Sequence, residues 1–285
     1  MGWKRPNIPL LAVFFLSHFY GILAALNLEA TPLSQGSAVV NQSPLSGLYL
    51  VLMIVAVTGL MLLLYKYKLK FLTKIWFYLA ITVSILAFFL SFLPALPTLI
   101  IAICLIMLRI RTRSMWTRNI IDIFSYAGVG ALFGTMIGWI PAAIFLVLLS
   151  VYDTVSVFMT GHMVSLAEEG LDTDTFMGVM YPKGDVEPDK VEQINKTVKG
   201  HGDANSSEVR IGVVGGGDII APMIFSISLI ESFGMLSAFL SSLGAMTGLY
   251  FLMNWMEEGR YYPALPIIGL GAALGLLLSL LFHSL

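Results

Sequence analysis

The stretch WIPAAIFLVLLSVYDTVSVFMT, from Trp139 to Thr160, decides the fold class. A bilayer core about 30 Å thick is crossed by roughly 20 apolar residues of helix, and this stretch has that length and that character. It holds one charged side chain, Asp153. A carboxyl at the centre of a spanning helix costs about 2.5–3.5 kcal/mol on insertion, so its presence there asks for a reason.

Outward from this segment the chain keeps the same character. It is 58% hydrophobic and only 12% charged over 285 residues, which excludes a soluble globular protein and makes lipid the solvent for most of it. Short polar breaks divide it into apolar lengths near 8–26, 46–65, 75–93, 95–108, 119–138, 139–160, 210–229, 232–253 and 262–283. The expected fold is therefore an all-α polytopic membrane protein of about nine transmembrane helices. Pro94, Pro97 and Pro141 punctuate the least interrupted region and mark either tight turns or kinks.

Lys and Arg near membrane ends stay on the cytoplasmic side, and here they are one-sided. Lys4 and Arg5 precede the first span, Lys66 to Lys74 join the second to the third, and Arg109 to Arg118 join the fourth to the fifth. Lys183, Lys190, Lys196, Lys199 and Arg210 lie between the sixth and seventh, and Arg260 between the eighth and ninth. With nine spans and a cytoplasmic N-terminus all 16 basic residues fall inside, whereas merging or splitting a span before residue 160 scatters them over both faces. A multi-pass protein of the cell membrane is expected, its C-terminus outside. The first apolar run also reads as a cleaved signal peptide, with Lys4-Arg5 ahead of it and Ala24 and Ala25 near its end.

Residues 161–209 break the pattern with acidic residues, lysines, Gly and Pro, and read as a hydrophilic cytoplasmic loop that has room for a short helix or hairpin. The expected organisation is a six-span part over 1–160, this loop, and a three-span part over 210–285. Cys104, the single cysteine, forms no internal disulfide and reads as a small packing residue.

A second carboxyl, Asp218, lies in the seventh span behind Gly215-Gly216-Gly217. Asp153 falls about seven residues, or roughly 10 Å, from the cytoplasmic end of its helix, and Asp218 about eight residues, or roughly 12 Å, if the seventh helix starts at Arg210. Antiparallel helices would hold the two at one depth. Two such carboxyls cannot both ionise cheaply, and one proton shared between them supplies an acid and a base. That is what aspartyl proteolysis requires, with a water between the carboxyls and no metal or other cofactor. The glycines weaken the helix locally and admit water and another backbone. Tyr262-Pro263-Ala264-Leu265-Pro266 opens the last span at the same level, and its prolines leave backbone groups available to an extended substrate.

These residues resemble the presenilin and signal peptide peptidase family of intramembrane aspartyl proteases. That family carries Tyr-Asp in the sixth of nine spans, Gly-x-Gly-Asp in the seventh and Pro-Ala-Leu in the ninth. Tyr152-Asp153, Gly215-Gly216-Gly217-Asp218 and Pro263-Ala264-Leu265 match in order and span number. The resemblance implies catalysis by Asp153 and Asp218, supported by Tyr152, the three glycines and the Pro-Ala-Leu segment. The substrates it implies are transmembrane helices within the bilayer. Gly216 departs from the pattern, because relatives usually carry a larger apolar residue there. The inward N-terminus looks like presenilin, and the compact size looks like archaeal homologues that act without accessory subunits. A nucleic-acid partner is not expected.

Bland readings stand beside these. The aspartates fit a buried structural pair, and acidic residues on glycine-interrupted helices fit a proton- or sodium-coupled transporter. Tyr152 fits a packing aromatic, and Gly130, Gly134 and Gly138 fit close helix packing. Asp122, four residues after Arg118, is expected to form a surface ion pair with it. His18 and Glu231 read as packing and interfacial residues. No His-Glu-x-x-His, Gly-x-Ser-Gly or phosphate-loop motif is present.

Overall fold

The structure, a computed structural model, describes residues 8–29, 43–112, 114–160, 175, 177–183, 210–255 and 262–283. Hydrocarbon offers the backbone no hydrogen-bond partner, so apolar runs of this length close their bonds internally as helices. The helices before the loop are α1 (Ile8–Glu29), α2 (Pro44–Lys66), α3 (Lys70–Leu90), α4 (Ala95–Arg111), α5 (Met115–Met136) and α6 (Trp139–Val155). After it come α7 (Gly216–Ser228), α8 (Ile230–Trp255) and α9 (Leu265–His283). Each expected span thus has its helix among the described residues. Seven are long and apolar enough to cross a membrane, while α4 with 17 residues and α7 with 13 are shorter.

Helix boundaries follow local chemistry. Pro94 is the N-cap of α4, while Pro97 and Pro141 stand in the first turns of α4 and α6, where the missing N–H would have had no helical partner. These prolines set helix starts, so the turn reading holds over the kink. α8 breaks after its first turn at Gly234, whose φ of 78° and ψ of 171° lie in a region restricted in practice to glycine.

The seventh segment differs from the expectation. Arg210–Gly215 is a strand, β2, paired antiparallel with β1 (Gly178–Lys183) in the register Gly178↔Gly215 to Lys183↔Arg210, and α7 starts only at Gly216. Ile211, Val213 and Val214 are β-branched, and Gly212 and Gly215 are poor helix formers, so a partner strand wins over helix extension. Asp218 therefore stands in the first turn of its helix, and the depth computed from a helical rise beginning at Arg210 does not apply. β1 falls inside the hydrophilic loop. Residues 161–174 and 184–209, like Lys4, Arg5 and Arg260, lie outside the described residues.

α7 occupies the middle of the bundle, with α1, α5, α6, α8 and α9 around it and every residue from Ala221 to Ser228 buried. Enclosed this way, a helix only about 20 Å long need not meet lipid along its length. Close approach depends on small residues: Gly130 and Gly134 of α5 lie against Met223 and Ile227 of α7, and Gly244 of α8 lies on Gly271 of α9. Buried hydroxyls are satisfied between helices, Ser226 Oγ donating to Ser241 Oγ at 3.0 Å and Ser241 Oγ to the Ala272 carbonyl at 3.1 Å. The first apolar run is part of this core, since Leu10, Phe14, Ala24 and Ala25 are fully buried and α1 packs along α5.

Candidate active site

Asp153 lies near the C-terminal end of α6, just before a π-helical turn over Ser156–Thr160, and is 6% exposed. Its carboxylate is held by another helix. The Leu265 N–H donates to Asp153 Oδ2 at 3.3 Å, and the Ala264 N–H also donates to the carboxylate. The first turn of any helix has N–H groups without intrahelical partners, and its positive end favours a carboxylate. Ala264 is the residue whose carbonyl accepts from Ile268 N, at 3.1 Å, so Asp153 caps α9 across the bundle. The Pro263-Ala264-Leu265 segment therefore spends backbone donors on Asp153, a use of its N–H groups that the sequence reading, which concerned its carbonyls, did not foresee.

Asp218 is half-buried and stands at the third position of α7. Its carboxylate accepts from the backbone N–H of Gly215, the N-cap residue, as the third residue of a capping box does. Each carboxyl thus sits at a helix N-terminus, Asp153 at that of α9 and Asp218 at that of its own helix. Pro222, four residues on, deprives the Asp218 carbonyl of its helical donor. α6 and α7 are in contact, and Asp153 and Asp218 lie near enough that the charge of one acts on the other.

The three glycines do different things. Gly215 leaves room for the Asp218 carboxyl, whose Oδ2 would lie 3.3 Å from a Cβ at that position. Gly216 is pressed on one side by the Tyr126 ring and on the other by Met177, whose carbonyl accepts its N–H at 3.0 Å. Around Gly217 a Cβ would meet nothing within 4 Å. Close backbone approach is thus confined to Gly216, and Gly217 faces open space. Tyr152 is half-buried against the main core.

Asp122 departs from its expected place. It is buried, and its partner is Arg109 of α4, whose Nη1 donates to Asp122 Oδ1; Arg118 acts on it only as a further charge. Arg109 also stands 5.4 Å from the centroid of the Phe77 ring. Burying either charge alone in this bundle would cost several kcal/mol, which the pairing offsets. His18 is buried and stacked on Phe14, and Glu231 is exposed. Pro94-Ala95-Leu96 repeats the Pro-Ala-Leu tripeptide and opens α4, which packs on α3 and α5.

An apolar groove of about 400 Å³ runs between α6 and α9, lined by Leu146, Val147, Ser150, Thr154, Leu270 and Ala273. Thr154 and Pro266, the sequence neighbours of Asp153 and of its donor Leu265, are among its lining residues, and neither aspartate is. Among the described residues no group of three His, Cys, Asp or Glu side chains could hold a metal ion. What the arrangement offers is two carboxyls on contacting helices, each with backbone donors, and an apolar groove along α6 and α9. Sequence reading missed Tyr126 and Met177. The apolar run Met177 to Tyr181 inside a polar loop was the available signal for the second; a buried tyrosine in an apolar helix gave none for the first.

A family described as signal peptide peptidase and presenilin aspartyl protease matches residues 11–285. No curated protein matches. Two crystal forms of a presenilin family intramembrane aspartate protease resemble the fold. The C222 form has a TM-score of 0.65 at 21% identity, covering 96% of this chain and 98% of that one. The P2 form has a TM-score of 0.63 at 22% identity, covering 98% of each.

Proposed function

Because the chain belongs to the signal peptide peptidase and presenilin family of aspartyl proteases, we propose that Asp153 and Asp218 are the pair with which it cuts its substrates. The protein is an intramembrane aspartic endopeptidase, integral to the membrane and acting on membrane proteins within the bilayer. This assignment sets the transporter reading aside. What supports the choice of residues is the placement of two carboxyls on contacting helices, each accepting backbone N–H donors at the N-terminus of a helix.

One proton is shared by the pair. The ionised carboxyl draws a proton from a water held between them, and the oxygen of that water bonds to the scissile carbonyl carbon as the protonated carboxyl gives its proton to the carbonyl oxygen. The carboxyl that took the water's proton then passes it to the amide nitrogen while the other takes a proton back from a hydroxyl of the tetrahedral centre; the C–N bond breaks, leaving a new carboxyl and a new amine. The donors from Ala264, Leu265 and Gly215 hold both carboxyls in place through these steps. Gly217 leaves space beside Asp218 for the substrate backbone, and Tyr152 and Pro263, next in sequence to Asp153 and to Ala264, belong to this reading as supporting residues.

The groove between α6 and α9 suits the apolar flank of a transmembrane helix. A segment pulled out of such a helix into extended form has the β1–β2 sheet beside the aspartates to pair with. The three-part organisation, the inward N-terminus and a location in the cell membrane belong to this reading, on the strength of the one-sided basic residues. So does independence from accessory subunits. The purified full chain, in detergent with no other protein added, is expected to cut a synthetic transmembrane peptide inside its apolar stretch, as read by mass spectrometry. Failure to cut any such peptide until another protein is supplied would refute that independence.

A further inference from the structure

Tyr126 of α5 is the largest of the fully buried side chains, and among the described residues its hydroxyl has no hydrogen-bond partner. A buried hydroxyl left unpaired costs about 1–3 kcal/mol, so the site keeps a donor in reserve. The ring of Tyr126 faces Gly216: a Cβ on that glycine would stand 2.9 Å from Tyr126 Cε1 and 3.2 Å from the Met177 carbonyl oxygen. Ring and strand together form the seat on which the first turn of α7 rests, two residues before Asp218.

Three charged groups act on the hydroxyl: Asp122 from its own helix, Arg109 from α4 and Asp218 from α7. An arginine accepts no hydrogen bond. Asp122 already accepts from Arg109 through Oδ1, and Asp218 stands in the helical turn that begins at Gly216, the glycine the ring touches.

We infer that Tyr126 is a positioning residue for Asp218, its ring seating the start of α7 through Gly216 and its hydroxyl donating to the Asp218 carboxylate when peptide and water are bound. The inference rests on the reading of Asp218 as one of the catalytic pair. It is tested by kcat and KM for cleavage of a transmembrane peptide by the full chain in detergent. The variants are Tyr126→Phe, Tyr126→Leu, Gly216→Ala and the Tyr126→Leu/Gly216→Ala double variant, with Asp218→Asn as reference.

Tyr126→Phe keeps the ring and is expected to hold KM within about twofold while kcat falls roughly tenfold or more, the loss of one bond to a charged group. Gly216→Ala pushes on the ring and lowers kcat; in the double variant the shortened side chain makes room, so the two losses are less than multiplicative. Full kcat in Tyr126→Phe overturns the role of the hydroxyl, and independent losses in the double variant overturn the seat. The coupling is read from the Gly216 side even where Tyr126→Phe lowers the melting temperature. Turnover surviving in Asp218→Asn would instead sink the catalytic pair itself, which keeps the two failures apart.

Discussion

Asp153→Asn and Asp218→Asn are each expected to lower kcat for transmembrane peptide cleavage by about a thousandfold or more while leaving the fold intact. The amide has the size of the carboxyl but can neither take the proton of the water nor share one with its partner, and acid–base steps of this kind carry about 10²–10⁴ in rate. Both singles should be equally dead, because acid and base act as one unit, and the double variant should be no worse. Melting temperature is not expected to fall in either single, since a charge that burial disfavours is removed while a hydrogen-bonding side chain stays at each helix N-terminus. Thermal unfolding of the same preparations checks this. A large drop in stability together with lost activity would return the aspartates to a structural role.

The second large effect belongs to position 265. Leu265→Pro is expected to cut kcat by roughly ten- to a hundredfold, because it deletes the N–H that Asp153 Oδ2 accepts. Proline suits the first residue of a helix, and Pro266 already follows, so the backbone of α9 tolerates it. Its side-chain control is Leu265→Ala, which keeps the donor but empties a site only 3% exposed. That variant should lose about 2–5 kcal/mol of stability and hold kcat within a few-fold. Equal kcat for the two variants would mean that the Pro-Ala-Leu segment acts by packing alone and not through its backbone donor.

Much of this was legible in the sequence because lipid imposes few solutions. Apolar lengths between polar breaks gave the helices, and Pro94, Pro97 and Pro141 fall at two of their starts, those of α4 and α6. The seventh segment misled for a physical reason: Arg210–Gly215 is a short apolar run joined directly to a helix, and periodicity cannot separate strand from helix over six residues. Its partner, Gly178–Lys183, lies far away in sequence and inside a polar loop. Asp122 shows the same limit. Spacing exposes a partner four residues back on one helix, but Arg109 comes from the preceding helix and only packing brings it there.

At the site, residue types were readable and their tasks were not. Two prolines flanking Ala264-Leu265 announce irregular backbone, yet only the placement of α9 against α6 turns its free N–H groups toward Asp153. Three consecutive glycines look alike in a string. In the fold one faces its own aspartate, one is pressed by Tyr126 and Met177, and one faces open space.

In the proposed function Asp153 and Asp218 work as a pair on one tetrahedral centre. A hydroxyethylene peptide mimic carries a hydroxyl where that centre forms and binds only where two carboxyls meet it together. Titrated against the purified protein in detergent, it should bind the wild-type chain, stop cleavage, and lose its affinity in both Asp153→Asn and Asp218→Asn. Undiminished binding in either variant would contradict the pair.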